Sequence, residues 1–166
     1  MINYNKILEA VNRGIKFALD DFDNQEEIQG QINSKVKNTS NIKEYFEWEQ
    51  LIDKLKNKEL TKQELEELTK LSKLLNLKYT VDSKDELKVI TRYIIKQDIN
   101  ANLNWIDTSK ITNMDYLFID SEFNGDISEW DVSNVESMYS MFASSDFNGD
   151  ISKWNVSKVT DMRYMF

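Results

Sequence analysis

The sequence predicts an α+β protein, a helical N-terminal region followed by a short solenoid of 24-residue coils. Three observations carry this. The stretch FNGDISEWDVSNVESMYSMF, from Phe123 to Phe142, returns as FNGDISKWNVSKVTDMRYMF from Phe147 to Phe166. A worn third copy, INANLNWIDTSKITNMDYLF, occupies residues 99–118 at the same offset. Upstream, apolar residues recur at three- and four-residue steps, and two helix starts are marked by capping boxes. A fixed period means that each repeat is one coil stacked on the last. The expected organisation is an amphipathic helix and polar arm over residues 1–41, a small helical region over 42–97, and three repeats over 98–166.

Tyr4, Leu8, Val11, Ile15, Ala18 and Phe22 step by four and three residues, an a/d seam. Such a seam serves either packing within its own domain or docking and self-association. Ile7 and Leu19 widen the stripe, as in a packed helix. Residues 23–41 are polar and patternless, as in a linker or arm. Asp20, Asp21 and Asp23 do not open an EF-hand loop. Counted from Asp21, its required glycine and twelfth-position acid are replaced by Glu26 and Ile32.

A helix is expected from about Lys43 to Asn57, with Tyr45, Phe46, Trp48, Leu51, Ile52 and Leu55 inward. Thr61-Lys-Gln-Glu64 opens the next, to about Asn76, with Leu65, Leu68, Leu71 and Leu75 inside. Lys78–Val81 reads as a short strand. Ser83-Lys-Asp-Glu86 opens a helix carrying Leu87, Ile90, Ile94 and Ile95. It runs into the first coil, so residues 83–97 are expected to cap the array, because a solenoid must cover its end.

Within a coil, Ile127-x-x-Trp130-x-Val132 follows the leucine-rich-repeat spacing, so the solenoid is expected to be leucine-rich-repeat-like. Trp130 and Val132 alternate inward at strand period. Val135, Met138, Met141 and Phe142 then recur at three- and four-residue steps, which predicts a short helix or turn opposite the strand. Gly125 and Gly149 are expected to permit a tight corner. The Asn100/Asn124/Asn148 column is expected to hydrogen-bond between coils. Five of the six methionines fall in core columns as gap fillers. The column Asn102/Asp126/Asp150 supplies about one carboxylate per coil. Turn capping is therefore expected there, since Ca²⁺ takes about six to eight oxygens.

The chain has no Cys and no His, which removes thiolate and imidazole chemistry and the usual zinc sites. No phosphate loop or paired carboxylates stand out, so no enzyme, cofactor or metal is expected. Residues 1–97 are charge-balanced. Residues 98–166 hold 4 basic and 12 acidic residues, the whole of the net −8. That acidity disfavours binding to nucleic-acid phosphates and suits a basic protein partner. No apolar run reaches the roughly 18 residues that span a membrane, and the N-terminus lacks a signal-peptide core.

The pattern F-N-x-D-I-S-x-W-x-V-S-x-V-x-x-M-x-x-M-F resembles the BspA-type leucine-rich repeat, also called the Mycoplasma-lipoprotein repeat, over residues 99–166. This resemblance implies a non-catalytic scaffold for adhesion or protein recognition. Surface members of that family carry a secretion signal, and none is legible here. NYNKILEAVNRGIKFALDDFD resembles the openings of modular proteins of gut phages, including crAss-like phages, over residues 3–40. That resemblance implies a virion or accessory protein whose N-terminus docks. The expected location is cytoplasmic or virion-associated, with the cell surface expected only if a signal has been removed.

Outward positions between the core columns supply the candidate binding face: Trp105, Glu129 and Lys153; Asp107, Asp131 and Asn155; Ser109, Ser133 and Ser157. Trp105, an aromatic in a charged column, is either an interface anchor or packed against the capping helix. Tyr116, Tyr139 and Tyr164 are expected to be partly exposed. The partner is expected to be a protein, with homo-oligomers through the N-terminal helix as a further expectation. An acidic inhibitor of a nucleic-acid-binding enzyme and a fragment of a surface adhesin are the alternatives.

Overall fold

The computed structural model describes residues 42–166. The seam Tyr4, Leu8, Val11, Ile15, Ala18 and Phe22 and the polar arm lie outside the described residues. The described chain carries three α-helices and one two-stranded parallel sheet. No described helix is long and apolar enough to cross a membrane.

Helix α1 (Ile42–Asn57) buries Tyr45, Trp48, Leu51, Ile52 and Leu55 on one stripe. It stops at Lys58, whose φ of 58° is left-handed and ends the helical run. Helix α2 (Lys62–Leu75) starts on the expected capping box. The Thr61 hydroxyl accepts the Glu64 N–H, and the Glu64 carboxylate accepts the Thr61 N–H. The two helices pack together, and the Trp48 indole donates to Ser72 Oγ at 2.7 Å across their interface. Asn76, left-handed at φ 52°, closes α2.

Strand β1 (Tyr79–Thr80) pairs in parallel with β2 (Ile106–Asp107), Tyr79 opposite Ile106. Helix α3 (Lys84–Ile95) lies between them in sequence. Its N-cap Ser83 accepts the Glu86 N–H, but the second capping box is only half formed. The Glu86 carboxylate instead accepts the Asp82 N–H at 2.8 Å and the Tyr79 hydroxyl at 2.6 Å. The capping glutamate thereby ties α3 to the strand that pairs with the first repeat.

One apolar cluster runs from Trp48 through Leu87, Ile90 and Ile94 into Leu103, Ile106 and Met114, and on to Trp154. The sequence boundary at residues 97 and 98 is therefore not a boundary of the core. The Lys84 ammonium, at the start of α3, reaches Asn113 Oδ1 at 2.6 Å.

The repeated segments lie side by side in register. Isolated parallel bridges join Asn102 to Asp126, Asn113 to Ser137 and Ser137 to Asp161. The N–H groups of Met114, Tyr116, Phe118 and Asp120 donate to the carbonyls of Ser137, Tyr139, Met141 and Ala143 at 2.9 to 3.0 Å. Met138, Ser140 and Phe142 repeat this against Asp161, Arg163 and Met165.

This placement decides one alternative and corrects one expectation. Of the short helix or turn expected over Val135–Phe142, the turn forms. That segment carries the ladder between copies: the N–H groups of Met138, Ser140 and Phe142 donate to the next copy, those of Glu136 and Tyr139 to the previous copy, and those of Val135 and Met141 close tight turns. Left-handed backbone at Tyr116, Ser140 and Tyr164, with φ of 58°, 50° and 56°, breaks any helical run. The strand expected at Trp130–Val132 is replaced by tight turns, Trp130 N–H to Ile127 carbonyl and Val135 N–H to Val132 carbonyl. The three-residue spacing of inward side chains comes from successive turns, each of which returns a side chain to the core.

The core columns hold as expected in the second copy, and in the first except at Ile99, which is exposed where Phe123 and Phe147 are buried. Ile127, Trp130, Val132, Val135, Met138, Met141 and Phe142 are buried. Phe118 stacks on Phe142, and Phe142 on Phe166, each at 5.5 Å between centroids. The third copy leaves Val156, Met162 and Phe166 exposed. The glycines act by closeness. Neither Gly125 nor Gly149 has a positive φ, so the corner demands no special backbone angle. What excludes a side chain at Gly125 is the neighbouring copy.

Candidate functional site

The nine expected face residues differ in burial and in hydrogen bonding. Trp105 is buried at 3% exposure, so it is not part of a face. Its carbonyl accepts the Tyr79 N–H at 2.9 Å, and its ring lies beside the α2–β1 connection rather than in the open column. In the first copy β1 pairs beside this position, which encloses the side chain that is free in later copies.

Asp107 and Ser109, Asp131 and Ser133, Asn155 and Ser157 form three equivalent turns. Each acid or amide oxygen accepts the N–H two residues on, at 3.0 to 3.2 Å. These are Asx-turns, the usual use of Asp and Asn at a chain reversal. The same device recurs at Asn102, Asp126 and Asp150, in agreement with the capping role expected for that column. Among the described residues no three His, Cys, Asp or Glu side chains converge as a metal site would require.

The electrostatics follow from these bonds. At Asp131 the Ser133 hydroxyl and N–H hold the carboxyl below its ordinary range. Asp107 is partly buried, which opposes ionisation. The Ser109 N–H and hydroxyl, the Thr80 hydroxyl and the Lys78 charge outweigh this and lower it too. The Thr80 hydroxyl donates to Asp107 Oδ2 at 2.9 Å. Burial opposes ionisation of Asp126 as well, and the Ser128 N–H, the Asn104 amide and the Ser128 hydroxyl lower it nonetheless.

What remains open to a partner is Glu129, Asp131, Lys153, Asn155 and Ser157, all exposed. The parallel register brings Glu129 beside Lys153 and Asp131 beside Asn155, two of the seven aligned positions where the second and third copies differ.

A second surface was not assembled from the sequence. Tyr116, Tyr139 and Tyr164 form a staggered row, edge to face, with centroids 5.3 and 5.6 Å apart. Tyr116 is 42% exposed and Tyr164 69%. Arg163 lies over the Tyr139 ring at 5.5 Å and pairs with Asp161. The row escapes a column reading because Tyr139 is not in the column of Tyr116 and Tyr164. The left-handed residues at 116 and 164 swing their side chains next to it.

Inter-copy polar bonds hold both surfaces in register. Asn124 Oδ1 accepts the Asn148 N–H at 2.9 Å, as expected for that column. Asn104 Oδ1 accepts the Glu129 N–H, and Asn134 donates to the Ser109 carbonyl, each at 2.9 Å.

A family model described as "Mycoplasma protein of unknown function, DUF285" matches residues 88–166. The match starts within α3 and covers all three copies, so the chain is similar to a Mycoplasma-type repeat module from that helix onward. No curated protein and no solved structure matches the chain.

Proposed function

We propose that residues 98–166 are a leucine-rich-repeat-like solenoid of three coils, and that the chain is a non-catalytic recognition or structural module for a protein partner. The observation that carries this is the register of the ladder. It sets the exposed, variable residues Glu129, Asp131, Lys153 and Asn155 side by side on a support whose Trp130, Val132 and Val135 side chains are buried. Repeat arrays recognise partners through substitutions displayed on a regular support. The acidic charge of the repeats favours a basic surface on that partner.

The resemblance of residues 3–40 to gut-phage proteins supports a role for the module in a virion or phage accessory protein. The Mycoplasma-type match supports the alternative, part of a surface adhesin. The concentration of the net −8 in residues 98–166 supports a second function, an inhibitor that presents carboxylates to a host nucleic-acid-binding enzyme.

Crosslinking and pull-down with the full chain test the module. Charge reversal with Glu129→Lys and Lys153→Glu is expected to abolish partner capture while the melting temperature stays unchanged. Capture unaffected by both reversals would remove this face from the function. Capture that collapses steeply with added salt favours the inhibitor, because exposed charge pairs are screened over a Debye length of about 8 Å at physiological salt.

A further inference from the structure

We propose that the cleft between α2 and the first two repeat copies binds a neutral polyhydroxyl ligand, a single sugar residue either free or at the end of a glycan. The site shares only Glu129 with the exposed face and goes beyond the protein-recognition function above.

The cleft encloses about 280 Å³, and its walls include Lys73, Asn76, Asn104, Trp105, Asp126 and Glu129. Trp105 supplies the first argument. Its indole N–H is buried and has no acceptor. The other three indoles all have one: Trp48 donates to Ser72 Oγ, Trp130 to the Leu103 carbonyl and Trp154 to the Ile127 carbonyl. A buried donor without a partner is destabilising, and a ligand oxygen beside it removes that cost.

The charge of the walls selects the ligand class. Two lysines, Lys73 and Lys78, face two carboxylates, Asp126 and Glu129. An anion meets the carboxylates and a cation meets the ammonium groups. An apolar molecule strands all four from water. A hydroxyl group both donates and accepts. A ring bearing several hydroxyls can therefore donate to Asp126 and Glu129 while it accepts from Lys73 and the Trp105 N–H.

Part of the site is preformed. Asn104, itself buried, accepts the Glu129 N–H at 2.9 Å, and Asn102 donates to Asp126 Oδ2 at 2.9 Å. Lys78 reaches the Glu129 carbonyl at 3.4 Å, and Lys73 makes no ion pair among the described residues. The volume sits at the small end of ligand pockets, about 300 to 1,000 Å³, which suits one ring rather than a long chain.

The test uses the full chain and its indole N–H resonances by NMR, titrated with glucose, galactose, mannose and N-acetylglucosamine, alongside a glycan array. Trp105→Phe assigns the resonance and removes the donor while it keeps a ring. At least one sugar is expected to shift that resonance. Trp105→Phe is expected to bind it about tenfold more weakly, the loss of one hydrogen bond. It is expected to melt at or above the wild-type temperature, because the orphaned donor is gone. Lys73→Met, at an exposed position, is expected to weaken binding without changing the melt. The proposal is overturned if no sugar or array glycan moves the resonance. It is overturned equally if free amino acids or phosphate move it instead, or if both variants bind as tightly as wild type.

Discussion

A Cβ placed on Gly125 would stand 2.1 Å from the carbonyl oxygen of Ala101, the same oxygen that accepts the Asp126 N–H at 3.1 Å. The hydrogen bond draws the two copies together at this corner, and the glycine is what lets it form. At Gly149 the corresponding backbone oxygen, that of Gly125, is farther away at 3.3 Å, and the closest obstacle is the Phe147 ring at 2.7 Å.

Gly125→Ala is therefore expected to destabilise the protein by about 1–3 kcal/mol, as forced overpacking does. Gly149→Ala is expected to cost less, since a side chain can yield where a hydrogen-bonded backbone cannot. Thermal or urea denaturation of the two variants measures the order. Equal losses would mean that the ring, not the carbonyl, limits the corner.

Trp130 is buried, stacks near Phe118 at 5.9 Å and donates to the Leu103 carbonyl at 2.9 Å. Trp130→Ala is expected to cost about 3–5 kcal/mol. Trp130→Phe is expected to cost about 1 kcal/mol, because the Leu103 carbonyl keeps the Ile106 N–H as a donor. Since the apolar cluster is continuous from α1 to the third copy, helical circular dichroism and tryptophan fluorescence are expected to report one transition. Two separate transitions would show that the helices and repeats unfold independently.

Acid is expected to lower the stability of the whole described fold, largely through the aspartates of the repeats. Asp107, Asp115, Asp126, Asp131 and Asp150 all have carboxyls lowered in the fold, chiefly by turn N–H groups and hydroxyls against the opposing effect of burial where they are partly covered. The Arg163 side chain and its N–H lower Asp161 to about 2. Their unfolded counterparts titrate near 3.9, so the unfolded chain binds more protons in this range. The stability they contribute is complete above about pH 4 and is lost as pH falls through the lowered folded values. Melting temperature followed from neutral pH down through this range is expected to drop. Asp126→Asn combined with Asp131→Asn is expected to flatten the fall. An equally steep fall in that variant would place the acid sensitivity elsewhere.

Much of the repeat region was legible because identity between copies exposes columns. Phe118/Phe142/Phe166 and Met114/Met138/Met162 stand out once the sequence is folded on its period. The Thr61 cap was legible because its partners are local. Ser83 was half legible. Its own bond is local, but Glu86 is drawn away by Tyr79 and the Asp82 N–H, and Tyr79 is held in place by pairing with the first copy. The Asx-turns hide in plain composition, since Asp-x-Ser looks the same whether it offers a carboxylate to a partner or spends it on its own backbone.

The sequence by itself determined the 24-residue register, the inward columns, the helical stripes of α1 to α3 and the acidity of the repeats. All of these depend on which residue types recur and at what spacing. Only the tertiary structure decided that Val135–Phe142 is a ladder and not a helix, that Trp105 is enclosed, and that Gly125 answers to Ala101. A three-residue spacing is common to helical turns and to chains of tight turns. The choice between them rests on where the N–H groups find their acceptors, and for Met138, Ser140 and Phe142 these lie on the neighbouring copy, 23 residues further along the chain.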